Sequence, residues 1–221
     1  MTHFQRELDK IKKLLLSLCS LVEENVFLST QALKNLDLDL AQKIIQKDHE
    51  IDQMEITVEE ECLKILALYQ PVASDLRFLI AILKINNDLE RIGDLAVNIA
   101  KKIKYLPIAS ENISVMFPEI IDQVLLMLKK SLDSFVQSDA DLAREVCELD
   151  EKVDKLKRKM GKKIILEIKA NPENIEALLA VLNISKHLER IADLSTNIAE
   201  DIIYIVEGEI TRHKTGMFEK K

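Results

Sequence analysis

Four pairs of acids stand four residues apart in this chain: Asp48/Asp52, Glu90/Asp94, Asp150/Asp154 and Glu189/Asp193. On a helix that spacing puts both carboxylates on one face, about 6 Å apart. Like charges so placed are mildly destabilising unless a cation offsets them. Oxygen-only donor sets suit hard cations, and bridging carboxylates also hold clusters of iron, manganese or zinc. The competing reading is a solvated acidic face with Arg91, Arg190, Lys84 or Lys186 nearby. One such pair arises easily by chance among 38 acids. The weight therefore falls on how the four pairs are related.

They are related by duplication. Glu90-Arg91-Ile92-Gly93-Asp94-Leu95-Ala96-Val97-Asn98-Ile99-Ala100 recurs as Glu189-Arg190-Ile191-Ala192-Asp193-Leu194-Ser195-Thr196-Asn197-Ile198-Ala199. Upstream, Lys47 to Asp52 recurs as Leu149 to Asp154. If the helix bearing Asp48/Asp52 folds back antiparallel at Pro71, Asp48 lies level with Asp94 and Asp52 with Glu90. A second fold between Asn171 and Pro172 sets Asp150 level with Asp193 and Asp154 with Glu189. Each set lies about 30 Å from its turn at 1.5 Å per residue. At 100° per residue the acids flank the apolar seam of their helices in the same rotational sense. Same-sense flanks in a hairpin either converge on one groove or both diverge from it, and the pattern allows both.

The elements that must position these acids are helices. Prolines and N-cap residues punctuate the chain at Leu36 to Asp39, Gln70-Pro71, Leu106 to Ser110, Gln137 to Asp139 and Asn171-Pro172. Between them the pattern predicts helices over 4–36, 40–69, 72–105, 114–137, 139–169 and 173–207. In the third, Ile82, Ile85, Leu89, Ile92, Ala96, Ile99 and Ile103 step by three and four; Val181, Ile184, Leu188, Ile191, Ser195, Ile198 and Ile202 repeat the seam in the sixth. The fold class expected is all-α: two tandem three-helix bundles over 1–108 and 109–208, then a polar tail over 209–221.

Composition narrows the function. Only 4 Gly and 4 Pro among 221 residues leave little turn material for many strands. A net charge of −7, with no Trp, argues against a nucleic-acid binder, which needs a basic footprint. Cys19, Cys62 and Cys147 form no CxxC pair and read as buried thiols in a reducing compartment. The apolar run Leu14 to Val22 is too short to span a bilayer and is followed by no cleavage site, so a cytoplasmic protein without direct membrane insertion is expected.

Enzyme chemistry finds little footing. A di-iron oxygenase uses Glu-x-x-His motifs, whereas Gly93 and Ala192 stand three residues after Glu90 and Glu189. His49 and His187 lie near the acids at non-equivalent positions and read as solvated or packing residues. No phosphate loop or nucleophile–base pattern is evident. Asn98 and Asn197 extend the acidic faces by one turn, as second-layer hydrogen-bonding candidates or polar groove residues. Arg77, whose counterpart is Glu176, reads as a member of a structural ion pair.

Three strings, Gln70-Pro71-Val72-Ala73-Ser74-Asp75-Leu76-Arg77, Asp88-Leu89-Glu90-Arg91-Ile92-Gly93-Asp94 and His187-Leu188-Glu189-Arg190-Ile191-Ala192-Asp193 with Asn197-Ile198-Ala199-Glu200, resemble the PhoU family of phosphate-specific transport accessory proteins. The resemblance covers nearly the whole chain. It implies a cytoplasmic, non-enzymatic negative regulator of the phosphate-starvation response. Such a regulator links the ATPase subunit of the phosphate ABC transporter to a membrane sensor kinase. It also implies a homodimer of tandem three-helix bundles, with iron or zinc, single or multinuclear, at Asp48, Asp52, Glu90, Asp94, Asp150, Asp154, Glu189 and Asp193. Many members place His directly after the motif aspartate; Leu95 and Leu194 stand there in this chain.

Overall fold

The computed structural model describes residues 2–106 and 117–208. Six α-helices occupy them: α1 (His3–Asn35), α2 (Leu38–Tyr69), α3 (Ala73–Ile103), α4 (Pro118–Gln137), α5 (Ala140–Ala170) and α6 (Ile175–Glu207). A 3-10 turn, Pro172–Asn174, precedes α6. The expected helices are all present within a few residues. The fourth was expected from 114, and its first residues lie outside the described residues.

Local chemistry sets the helix ends. Thr2 and Gln5 form a reciprocal capping box at α1. Asp37 caps α2 by accepting from the Leu40 amide at 2.9 Å, and Asp139 caps α5 by accepting from the amides of Asp141 and Leu142. Leu36 and Ser138, equivalent in the duplication, both turn left-handed (φ 52° and 53°) to end α1 and α4. The two halves thus share one tight turn, repeated. The other turn differs, left-handed at Gln70 in the first half and a 3-10 turn in the second.

In each half the helices form a bundle, α1 against α2 and α3, and α4 against α5 and α6. The bundles join mainly through α3 and α6, with α1 meeting α4 where Lys34 pairs with Asp122 at 3.2 Å. Both predicted seams are buried throughout, from Ile82 to Ile103 and from Val181 to Ile202. Each large apolar side chain so buried contributes about 1.5–3 kcal/mol. Small residues such as Ala81 and Ala100 on α3, and Ala180 and Ala199 on α6, are buried too. These two helices bury more than one face because each serves its own bundle and the other. Lys84 on α3 meets Asp201 on α6 at 3.5 Å, and Arg77 stands over the Tyr204 ring, so the pair runs antiparallel.

The run Leu14 to Val22 is a core stripe of α1, burying Leu15, Leu18, Cys19 and Val22. No helix among the described residues is long and apolar enough to cross a membrane. The cysteines are free thiols; Cys19 and Cys62 are buried and Cys147 half-buried, and burial pushes all three up to about 12.

Candidate metal centres

In the first half, α2 presents Asp48 and Asp52 while α3 presents Glu90 and Asp94. The hairpin register makes them level, and rotation brings them to one groove. Asp48 feels Asp94 across the hairpin, and Glu90 feels Asp52. The same-sense flanks therefore converge. Burial, then the neighbouring acids, raise Asp48 and Glu90 above the ordinary carboxylate range; Lys101 and His49 counteract weakly at Asp48, and Arg91 at Glu90. One carboxylate oxygen of Asp48, Oδ1, is shielded from solvent and has no hydrogen-bond partner. A shielded, unpartnered acceptor is costly unless something cationic or protic meets it.

A fifth acid belongs to this groove. Glu55 raises Glu90 and is itself raised by burial, Glu59 and Asp52. Asn86, buried on α3, donates to the Glu55 carbonyl at 3.0 Å and to its carboxylate at 3.2 Å, fixing it. Sequence reasoning missed Glu55. Its signal is the spacing, three residues after Asp52 and seven after Asp48, which keeps it on the same face.

The second half gathers Asp150 and Asp154 from α5 with Glu189 and Asp193 from α6. Asp150 is raised by burial, Asp154 and Glu189, with the Thr196 hydroxyl opposing. Asp193 is pushed up to about 6 by burial, then by Glu189, Asp150 and Asp154, with Lys157 opposing. Here a cation is already present. The Lys157 ammonium makes a short ion pair with the Glu189 carboxylate, and Arg158 lies 3.7 Å from Asp154.

Arg77 makes no ion pair among the described residues; its guanidinium stands 6.0 Å over the Tyr204 ring with Nε enclosed and unpartnered. The reason is the antiparallel packing of α3 on α6, which sets an aromatic face opposite it. Asn197 lines a cavity of about 610 Å³ between α3 and α6, with Lys84, Asn87, Asp88 and Glu200, and the side chain beside Asp150 is Thr196. Asn98 is half-buried one turn beyond Asp94. His49 is exposed with Nδ1 2.9 Å from the Gln46 carbonyl, and His187 is half-buried and lowered by burial, Lys102 and Lys186. His49 acts on the first acid group only through its charge near Asp48, and His187 is shifted by burial and lysines rather than by acids.

The donor set in both halves is carboxylate, a type that suits a hard cation or iron, zinc or manganese held through oxygen. Among the described residues, no three His, Cys, Asp or Glu side chains are gathered closely enough to hold one ion. The acids share a groove while standing apart, as like charges do. The first half fits a cation by the orphaned Asp48 oxygen and by carboxylates that form no ion pair among the described residues, although Asp52 and Asp94 are exposed to solvent. In the second, the ammonium of Lys157 already takes that part.

These shifts have a signed consequence for the metal-free chain. Asp48, Glu55, Glu90, Asp150 and Asp193 all titrate higher folded than unfolded. The native state then holds more protons than the unfolded one, so stability falls as pH rises from the ordinary carboxylate range through about 6. Melting in chelator at several pH values should give that slope, and Asp193→Asn should flatten it.

A family model described as the PhoU domain matches residues 15–103 and again 117–202. The phosphate-specific transport system accessory protein PhoU homolog of Pseudomonas putida is 39% identical over 212 residues, covering 95% of this chain and 83% of that protein. The crystal structure of PhoU from Pseudomonas aeruginosa superposes with a TM-score of 0.89 at 38% identity, covering 94% of this chain and all of that one. The phosphate transport system regulatory protein PhoU from Streptococcus pneumoniae gives 0.85 at 35% identity, covering 94% and 99%. Duplicated sequence, paired bundles and these matches agree: the chain belongs to the PhoU family, one PhoU domain in each half.

Proposed function

We propose that this chain is a cytoplasmic, non-enzymatic negative regulator of phosphate uptake and phosphate-starvation signalling. In this reading it is a metal-binding helical adaptor between the phosphate ABC transporter's ATPase subunit and a sensor kinase, and it works as a homodimer. The relatives are named as phosphate transport accessory and regulatory proteins, which supports the transporter clause. The observation that carries the metal clause is the convergence of acids in the first half, one of which, Asp48, has a shielded oxygen without a partner. Asp48, Asp52, Glu90 and Asp94 would hold the ion, iron or zinc as a single ion or a cluster, with Glu55 beside them. A bound cation would offset the repulsion and tie α2 to α3.

Both helical hairpins carry exposed apolar residues toward their tips, which suits two protein partners. Leu68 (67% exposed) and Val72 (73%) stand at the first tip, with Leu76 and Ile80 following on α3. Leu166 (66%), Ile175 and Leu179 stand at the second. The alternative, a metal-independent interaction module with solvated acids, is favoured in the second half by the Lys157–Glu189 pair.

Metal analysis of protein purified without chelator or a nickel-loaded tag tests the metal clause. At least one iron, zinc or manganese per chain is expected. Stoichiometry near zero after supplementation of the growth medium with all three would remove it.

A further inference from the structure

The duplication aligns Lys157 with Glu55 and Arg158 with Ile56. Glu55 lies in the first groove, held by Asn86, while Lys157 lies in the second, paired with Glu189. One exchange of residue type therefore changes the local charge by two. At the first groove Lys101, His49 and Arg91 act on the five carboxylates only through their charge, and none forms an ion pair with them among the described residues; at the second, Lys157 pairs directly with Glu189 and Arg158 lies 3.7 Å from Asp154. The Lys157 side chain is two-thirds shielded and the Glu189 side chain more so, which limits screening by solvent. A cation entering the second groove would have to displace that ammonium or sit beside a like charge.

We propose that Lys157 is the resident cation of the second acid site, so that this chain takes metal in its first half and leaves its second half sealed by its own side chain. The ligand class is a divalent cation held by carboxylate oxygen, and the inference rests on the metal reading above. A second consequence concerns the protein rather than the ion. The α5/α6 hairpin carries its own charged clamp at the acid site, while at the α2/α3 hairpin, tied by apolar packing and the Asn86–Glu55 hydrogen bonds, the acids themselves await a cation from outside. One half then reports metal availability and the other serves as a fixed frame.

The experiment is a titration of the full-length, chelator-stripped chain with Zn²⁺, followed by calorimetry, with zinc located in crystals by anomalous scattering. Wild type should bind in the first groove alone. Lys157→Gln should open a second site, with affinity there raised at least tenfold, a change comparable to those seen when groups supporting a metal site are altered. Lys157→Arg keeps the charge and should leave the second groove closed, which separates loss of charge from loss of fold. Glu55→Lys should close the first groove. Zinc in both grooves of wild type, or a second groove still empty in folded Lys157→Gln, overturns the proposal while leaving the metal reading intact. Zinc in neither groove of any variant overturns both.

Discussion

Gly93→Ala should destabilise the first bundle by about 1 kcal/mol, and adding Ile51→Val should restore it. A Cβ at Gly93 would lie 3.0 Å from Ile51 Cδ1 and 3.2 Å from Cγ2. Ile51 is 3% exposed, so a rotation that relieves one methyl drives the other into packed neighbours. Overpacking of this kind costs about 1–3 kcal/mol, against a helix-propensity gain of about 0.5–1 kcal/mol for replacing Gly. Overpacking wins. Ile51→Val alone costs about 0.5–1.5 kcal/mol by leaving a gap. The double variant recreates Val153 and Ala192, the pair that the second half carries at the equivalent positions, both buried there. Denaturant melts of the four proteins should therefore give a favourable coupling energy of about 1–2.5 kcal/mol. Additive losses would show that the two residues do not set the helix spacing. Ile51 adjoins Asp52, and Gly93 adjoins Asp94, so the same contact sets the width of the acidic groove. Gly93→Ala should weaken metal binding there, and the double variant should recover it.

Much of this architecture is legible in the sequence because helices in a hairpin obey arithmetic. Prolines and capping acids mark the ends, the three-four seam marks the buried face, and equal residue sums place Asp48 opposite Asp94. The rotational ambiguity is not resolvable that way. Convergence depends on which side of α2 packs on α3, and α1 decides that by occupying the third position in the bundle. The surroundings of Arg77 are not legible in the sequence either, because Tyr204 belongs to the other half and is brought near only by α3 packing on α6. Asn197 was placed by extending the acidic face one turn, yet a helix rotates 40° beyond a full turn every four residues, and here that carries it toward the inter-bundle cavity. Glu55 and Lys157 were legible in principle. Aligning the halves by their acids directs attention to what repeats, and the informative position is one that does not.

Charge removal in the two halves should act with opposite sign. In the metal-free chain, Glu90→Gln with Asp94→Asn removes two carboxylates from a groove that repels itself, and should raise stability by a few tenths of a kcal/mol or more. Glu189→Gln alone removes the partner of Lys157 while leaving the repelled Asp193 in place, so stability should fall. Adding metal should then reverse the order in the first half. At a hundred times its dissociation constant, an ion bound by the native state alone stabilises wild type by about 2.7 kcal/mol. For a chain of this size that is about 5–10 °C in Tm. The Glu90→Gln, Asp94→Asn variant has lost half of its donors and should gain little, falling below wild type once metal is present. Thermal melts with chelator and with Zn²⁺ supply all the comparisons. If the solvated-face reading holds, the first-half variant keeps the same rank with and without metal, and phosphate uptake in cells carrying it stays under normal control. If the adaptor works through a metal-tied α2/α3 hairpin, the rank reverses. The same cells should then take up phosphate without restraint, because the helices presenting Leu68, Val72 and Leu76 to a partner are no longer held in register by the ion.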